Sequence, residues 1–115
     1  MNALAVALNF AAYLAHYERD PVEVERLTAE LIELSTRHNF AFFLAGGKVL
    51  RGWARSASGD TVEGLASVED GIDNWQATGA ILVVPYYLAL KAEALYLAHR
   101  TCEALEAISE AEVLV

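Results

Sequence analysis

The sequence predicts an all-α fold of three stacked antiparallel helical hairpins, about six helices in a single domain over residues 1–115. Three observations predict it. Helix stops and starts recur along the chain at regular intervals. Between them, apolar residues fall on helical spacing. Only Pro21 and Pro85 interrupt a chain rich in Ala and Leu, the composition of helix. The hairpins are expected at about residues 2–39, 40–79 and 80–115.

The first segment, residues 4–17, is apolar almost all round and begins without a cap at Met1. Arg19-Asp20-Pro21 is a stop followed by a start, with Asp20 as N-cap and Pro21 at the first helical position, where its missing N–H costs nothing. In the second segment Val24, Leu27, Leu31 and Leu34 form one apolar stripe, with charged residues opposite, and Asn39 ends it. The third segment, residues 40–53, is again apolar almost all round. Ser58-Gly59-Asp60 repeats the stop and cap, Gly59 suiting a left-handed C′ position. Val62, Leu65, Val68, Ile72 and Trp75 then make a second stripe, which Thr78-Gly79 closes. Residues 81–97 are apolar almost all round, and His99-Arg100-Thr101 makes the next break, with Thr101 as the expected cap. The last segment buries Leu105 and Ile108 and turns Glu103, Glu106 and Glu110 outward. A helix greasy all round is expected between layers, so alternation of apolar and amphipathic helices describes stacked hairpins.

Composition excludes several classes. A hydrophobic content of 56% is too high for disorder. Sixteen acids against eight bases, a net charge of −8, repel phosphate backbones, so no nucleic-acid partner is expected. A single cysteine, Cys102, makes no internal disulfide, which fits a reduced, cytoplasmic setting. The apolar stretch over residues 1–15 lacks the basic flank of a secretory signal, and residues 80–90 are too short to span a bilayer, so no membrane partner is expected.

The breaks at Asp20, Asp60 and Thr101 recur at about forty residues, within the range of helical repeats. A small residue stands before each later turn and another after it: Gly52 and Gly64, then Ala92 and Ala104, followed by Gly71 and Ala111. These positions resemble the tetratricopeptide repeat (TPR), a helical hairpin whose small residues let its two helices approach closely. The unit is longer than the usual one of about 34 residues, its proline is absent, and the first hairpin carries Val24 and Leu31 at small positions. The strings Leu50-Arg51-Gly52-Trp53-Ala54, Trp75-Gln76-Ala77-Thr78-Gly79-Ala80 and Pro85-Tyr86-Tyr87-Leu88-Ala89-Leu90 also resemble the carboxy-terminal repeats of large bacterial signalling proteins. In that family such repeats follow a nucleotide-cyclase-like domain and a P-loop ATPase module. The resemblance implies a TPR-like α-solenoid fragment of a larger protein, with any ATPase or cyclase activity in other domains.

No residue set argues for catalysis, a metal or a cofactor. Gly46-Gly47-Lys48 lacks the glycine and hydroxyl of a phosphate loop and lies inside a helix, where thinning for close packing explains it. His16, His38 and His99 each stand near a helix end, where a positive imidazole would complement the dipole. Cys102 reads as a half-buried structural thiol, and Glu63, Glu69, Asp70 and Asp73 as a solvated face.

Solenoids bind on the surface lined by the first helix of each pair. In the repeat register these positions are Asn9, Tyr13, His16 and Tyr17, then Val49, Trp53 and Ser56, then Tyr86, Ala89, Glu93 and Tyr96, with Arg51 and Arg55 at the edge. Such an aromatic lining suits a protein or peptide partner, and alternatively a small-molecule effector. Phe10 and Trp75 are assigned to the core. The apolar ends, including Val113-Leu114-Val115, are expected to pair with neighbouring repeats of a parent chain or with a second copy as a homodimer.

Overall fold

A computed structural model describes the backbone of residues 3–78 and 84–114. Gly79, Ala80, Ile81 and the Met1 and Val115 ends, all used in the sequence reading, lie outside the described residues. Among these residues all regular structure is helical: α1 (Ala3–Tyr17), α2 (Pro21–His38), α3 (Ala41–Ala57), α4 (Thr61–Ala77), α5 (Val84–Leu97) and α6 (Thr101–Leu114).

The turns repeat in geometry as well as in position. Arg19, Gly59 and His99, forty residues apart, all take positive φ, at 59°, 105° and 62°. The next amide reaches back over each: Asp20 to the Ala15 carbonyl at 3.0 Å, Asp60 to Arg55 at 2.9 Å and Arg100 to Leu95 at 2.8 Å. These bonds satisfy carbonyls that a helix end leaves free. Only Gly59 adopts the left-handed conformation without a Cβ penalty. At Arg19 and His99 the closing bonds offset a cost of about 1–2 kcal/mol. Asn39, also left-handed, closes α2 the same way.

The helix starts follow the expected chemistry at two turns. Asp20 and Asp60 each accept the amide of the residue three on, Glu23 and Glu63. The third start differs. Thr101 is already helical, and Ala104 donates to the Arg100 carbonyl, so Arg100 holds the cap position and Thr101 does not. Register decides this, since Arg100 is the equivalent of Asp20 and Asp60. Its guanidinium grips Glu103 instead.

Close approach of α3 and α4 rests on glycine. A Cβ at Gly52 would stand 2.5 Å from the Gly64 carbonyl oxygen, and one at Gly64 would stand 2.7 Å from that of Gly52. At Gly71 the Ala45 carbonyl would be 2.8 Å away. No larger residue fits without moving backbone. The Gly46-Gly47 pair lies inside α3, with Gly46 against Tyr87 of α5 and Gly47 against Leu31 and Ile32 of α2. It is a packing feature, as the sequence indicates.

Each later hairpin seats its first helix on the pair before it. The helix α3 packs on both α1 and α2, α5 packs on both α3 and α4, and α6 packs on α5. The α2 stripe of Val24, Leu27, Leu31 and Leu34 is buried as expected, as are Leu65, Val68 and Ile72 of α4. Four expectations fail. Val62 stands out of the first turn of α4 at 80% exposure. Leu105 and Ile108 are 60% and 43% exposed, and α6 buries Ala104 and Ala107 instead. Their equivalents Leu65 and Val68 are buried where α5 packs on α4, whereas among the described residues α6 has only α5 against it. For the corresponding reason α1 is not enclosed: Phe10, assigned to the core from sequence, is 64% exposed and Leu14 is 62% exposed. Trp75 packs against the core as expected.

Candidate interaction surface

The side chains of α1 and α5 meet above α3. The α3 residue beneath them is Trp53, almost fully buried. The His16 ring stands edge-on to it at 4.6 Å between centroids. Tyr86 comes from α5 to hydrogen-bond His16 Nδ1 at 2.6 Å. The hydroxyls of Tyr13 and Tyr87 share a hydrogen bond of 2.9 Å, again joining α1 to α5. Arg19 completes the seam, lying over the Trp53 ring at 5.3 Å and forming a two-pronged ion pair with Glu93 at 3.1 and 2.6 Å.

Burial sets the protonation of this cluster. It pushes the phenols of Tyr13, Tyr86 and Tyr87 above their ordinary range, so they stay neutral donors and acceptors. Desolvation lowers His16, against an opposing pull from Glu93. The imidazole is therefore held neutral. His16 is a buried acceptor or donor for Tyr86, and the helix-dipole role read from sequence does not describe it. Among the described residues, His16 Nε2 and Trp53 Nε1 are buried and have no hydrogen-bond partner.

Of the residues expected to line the groove, Tyr13, His16, Tyr17, Trp53, Tyr86 and Glu93 are brought together. Much of that lining is packed inside the molecule: Trp53 is buried beneath the seam, and Val49 and Ser56 are buried against Gly71 and Gly64 of α4. Asn9 lies near Gly46, and Tyr96, 64% exposed, belongs to a separate hollow between α5 and α6. Arg51 and Arg55 do not edge the groove. They pair with Glu25 of α2 at 3.2 and 3.5 Å, and line a different hollow with Lys48 and Asp70. Lys48 meets Asp70 at 2.9 Å, while Glu63, Glu69 and Asp73 are exposed, as a solvated face should be. Cys102 is exposed, not half-buried. Among the described residues no group of acids, His and Cys is placed to hold a metal, and no helix is long and apolar enough to cross a membrane.

What remains open is a hollow of about 400 Å³ along α1, walled by Phe10, Leu14 and Tyr17, with Tyr13 and Tyr86 beneath. Sequence reasoning passed over Phe10, Leu14 and Arg19. The forty-residue offset was the available signal for the first two: they are equivalent to Leu50 and Ala54, so they belong to a face that packs on something.

No protein-family model matches the chain. No solved structure matches it. It is 26% identical over 110 residues to an uncharacterized protein of Rhizobium meliloti (strain 1021). The match covers 96% of this chain and 11% of that protein, so the chain spans about a tenth of its relative's length.

Proposed function

We propose that the chain is a non-catalytic protein-interaction module, three TPR-like helical hairpins stacked as a short solenoid. The single observation that carries this reading is the apolar face of α1. Phe10, Leu14 and Tyr17 are each more than 60% exposed on a helix with no Asp, Glu, Lys or Arg. Contiguous exposed apolar surface of this kind marks a contact site. The matching turns at residues 19, 59 and 99 and the glycine-lined approach of α3 to α4 support the hairpin repeat.

A small-molecule effector is the weaker alternative, although the hollow has the volume of a ligand pocket. Orienting a small molecule needs convergent polar groups. The two hydroxyls nearest its floor are already committed, Tyr13 to Tyr87 and Tyr86 to His16. A partner helix needs only the apolar walls. The resemblance to repeats behind cyclase and ATPase modules, with a relative far longer than this chain, supports a regulatory role within a larger signalling protein. Catalysis would then reside in other domains, in the cytoplasm.

Selection from a displayed library of helical peptides tests the reading. Peptides with an apolar face should bind the chain, and Leu14→Asp should weaken them at least tenfold with helicity unchanged by circular dichroism. Failure to select any peptide, or equal binding to Leu14→Asp, contradicts it.

A further inference from the structure

The repeat geometry names a partner for the α1 face. Gly47 lies against Leu31 and Ile32, so the α3 face that holds residues 47, 50 and 54 looks toward the preceding hairpin. Leu50 and Ala54 on that face are buried, and so are their equivalents Leu90 and Ala94 on α5. On α1 the same positions are Phe10 and Leu14, both open. The other side of the unit shows the converse. The groove between α1 and α2 holds α3, and the groove between α3 and α4 holds α5. The groove between α5 and α6 is a hollow of about 480 Å³, lined by Ala92, Tyr96, Ala104, Leu105 and Ile108 among others. Tyr96, Leu105 and Ile108 are exposed there, whereas one unit earlier the matching residues Ser56, Leu65 and Val68 are buried.

We infer that the α5/α6 groove receives α1 of a second copy of this chain, packed head to tail. The contact continues an interface already made twice within the chain, at α3 on α1/α2 and at α5 on α3/α4. Its chemistry is matched: a helix with no Asp, Glu, Lys or Arg enters a groove floored by alanines. It deepens the interaction-module reading, on which it rests, by naming the partner of the α1 face. Because the two surfaces differ, the contact is heterologous and leaves one of each open, so association continues past the dimer.

Sedimentation velocity of the chain over a range of concentrations tests this, with Leu14→Asp blocking the α1 face and Ile108→Asp blocking the groove. Wild type should rise above twice the 12.5 kDa chain mass. Each variant alone should stay monomeric. An equal mixture of the two should form a one-to-one dimer that grows no further, since Leu14→Asp keeps its groove and Ile108→Asp keeps its α1 face. A monomeric wild type, variants that still associate, or a mixture that stays monomeric overturns the proposal. Ile108→Asp retains the α1 face, so its capture of helical peptides separates the two readings. Peptide binding without self-association sinks only the second-copy proposal, and loss of both sinks the module reading as well.

Discussion

At the scale of single residues, His16 is where environment overrides expectation. Its place at the end of α1 suggests a cation, but Trp53 and Tyr86 enclose it and desolvation favours the neutral ring. A group whose pKa is lowered on folding binds fewer protons in the native state. It contributes stability that is complete above its ordinary 6.5 and is lost as pH falls through and below that value. Urea unfolding at pH 7.5 and 5.5 should therefore show a lower midpoint at the acid value, and His16→Gln should reduce the difference. Arg19 is a contrast. Its ion pair with Glu93 has good geometry, but the guanidinium side chain is 61% exposed. Arg19→Ala should cost under about 1 kcal/mol in the same assay. No sequence pattern distinguishes these two, because burial of His16 comes from a ring seventy residues away.

At the scale of elements, small residues decide how closely helices pack. Gly52→Ala brings a methyl against the Gly64 carbonyl and Val68, so the α3–α4 pair must part. Overpacking of this kind should lower unfolding free energy by about 1–3 kcal/mol, read from chemical denaturation. The equivalent Ala92 shows that the third hairpin already accepts the larger side chain. A second comparison tests the inequality of α4 and α6. Leu65→Ala empties a buried site and should cost about 2–5 kcal/mol. Leu105→Ala, at the equivalent but open position, should change the stability of dilute protein by no more than about 0.5 kcal/mol. The helix boundaries, the Asp20 and Asp60 caps and the α2 stripe were legible because each depends on residues within one or two turns. Leu105, Ile108, Phe10 and Val62 were misjudged because periodicity finds an apolar face without saying whether another helix covers it.

For the whole molecule, the forty-residue offset organises what the separate segments do not. It places Arg19, Gly59 and His99 at one backbone conformation although their side chains have nothing in common. It also distinguishes surfaces that pack internally from surfaces that do not. The candidate groove was legible as a list of positions, and six of them do converge. Its filling was not legible, since the side chains of α1 and α5 close over α3 only when the hairpins are brought together. The claim under all of this is that α1 and α5 meet across Trp53. Nuclear Overhauser contacts between aromatic protons test it most directly in solution. The account predicts cross-peaks from the Tyr86 ring to His16 and Tyr13, and from His16 to Trp53. Cross-peaks confined to neighbours within single helices, with the α1 and α5 rings silent to each other, would contradict it.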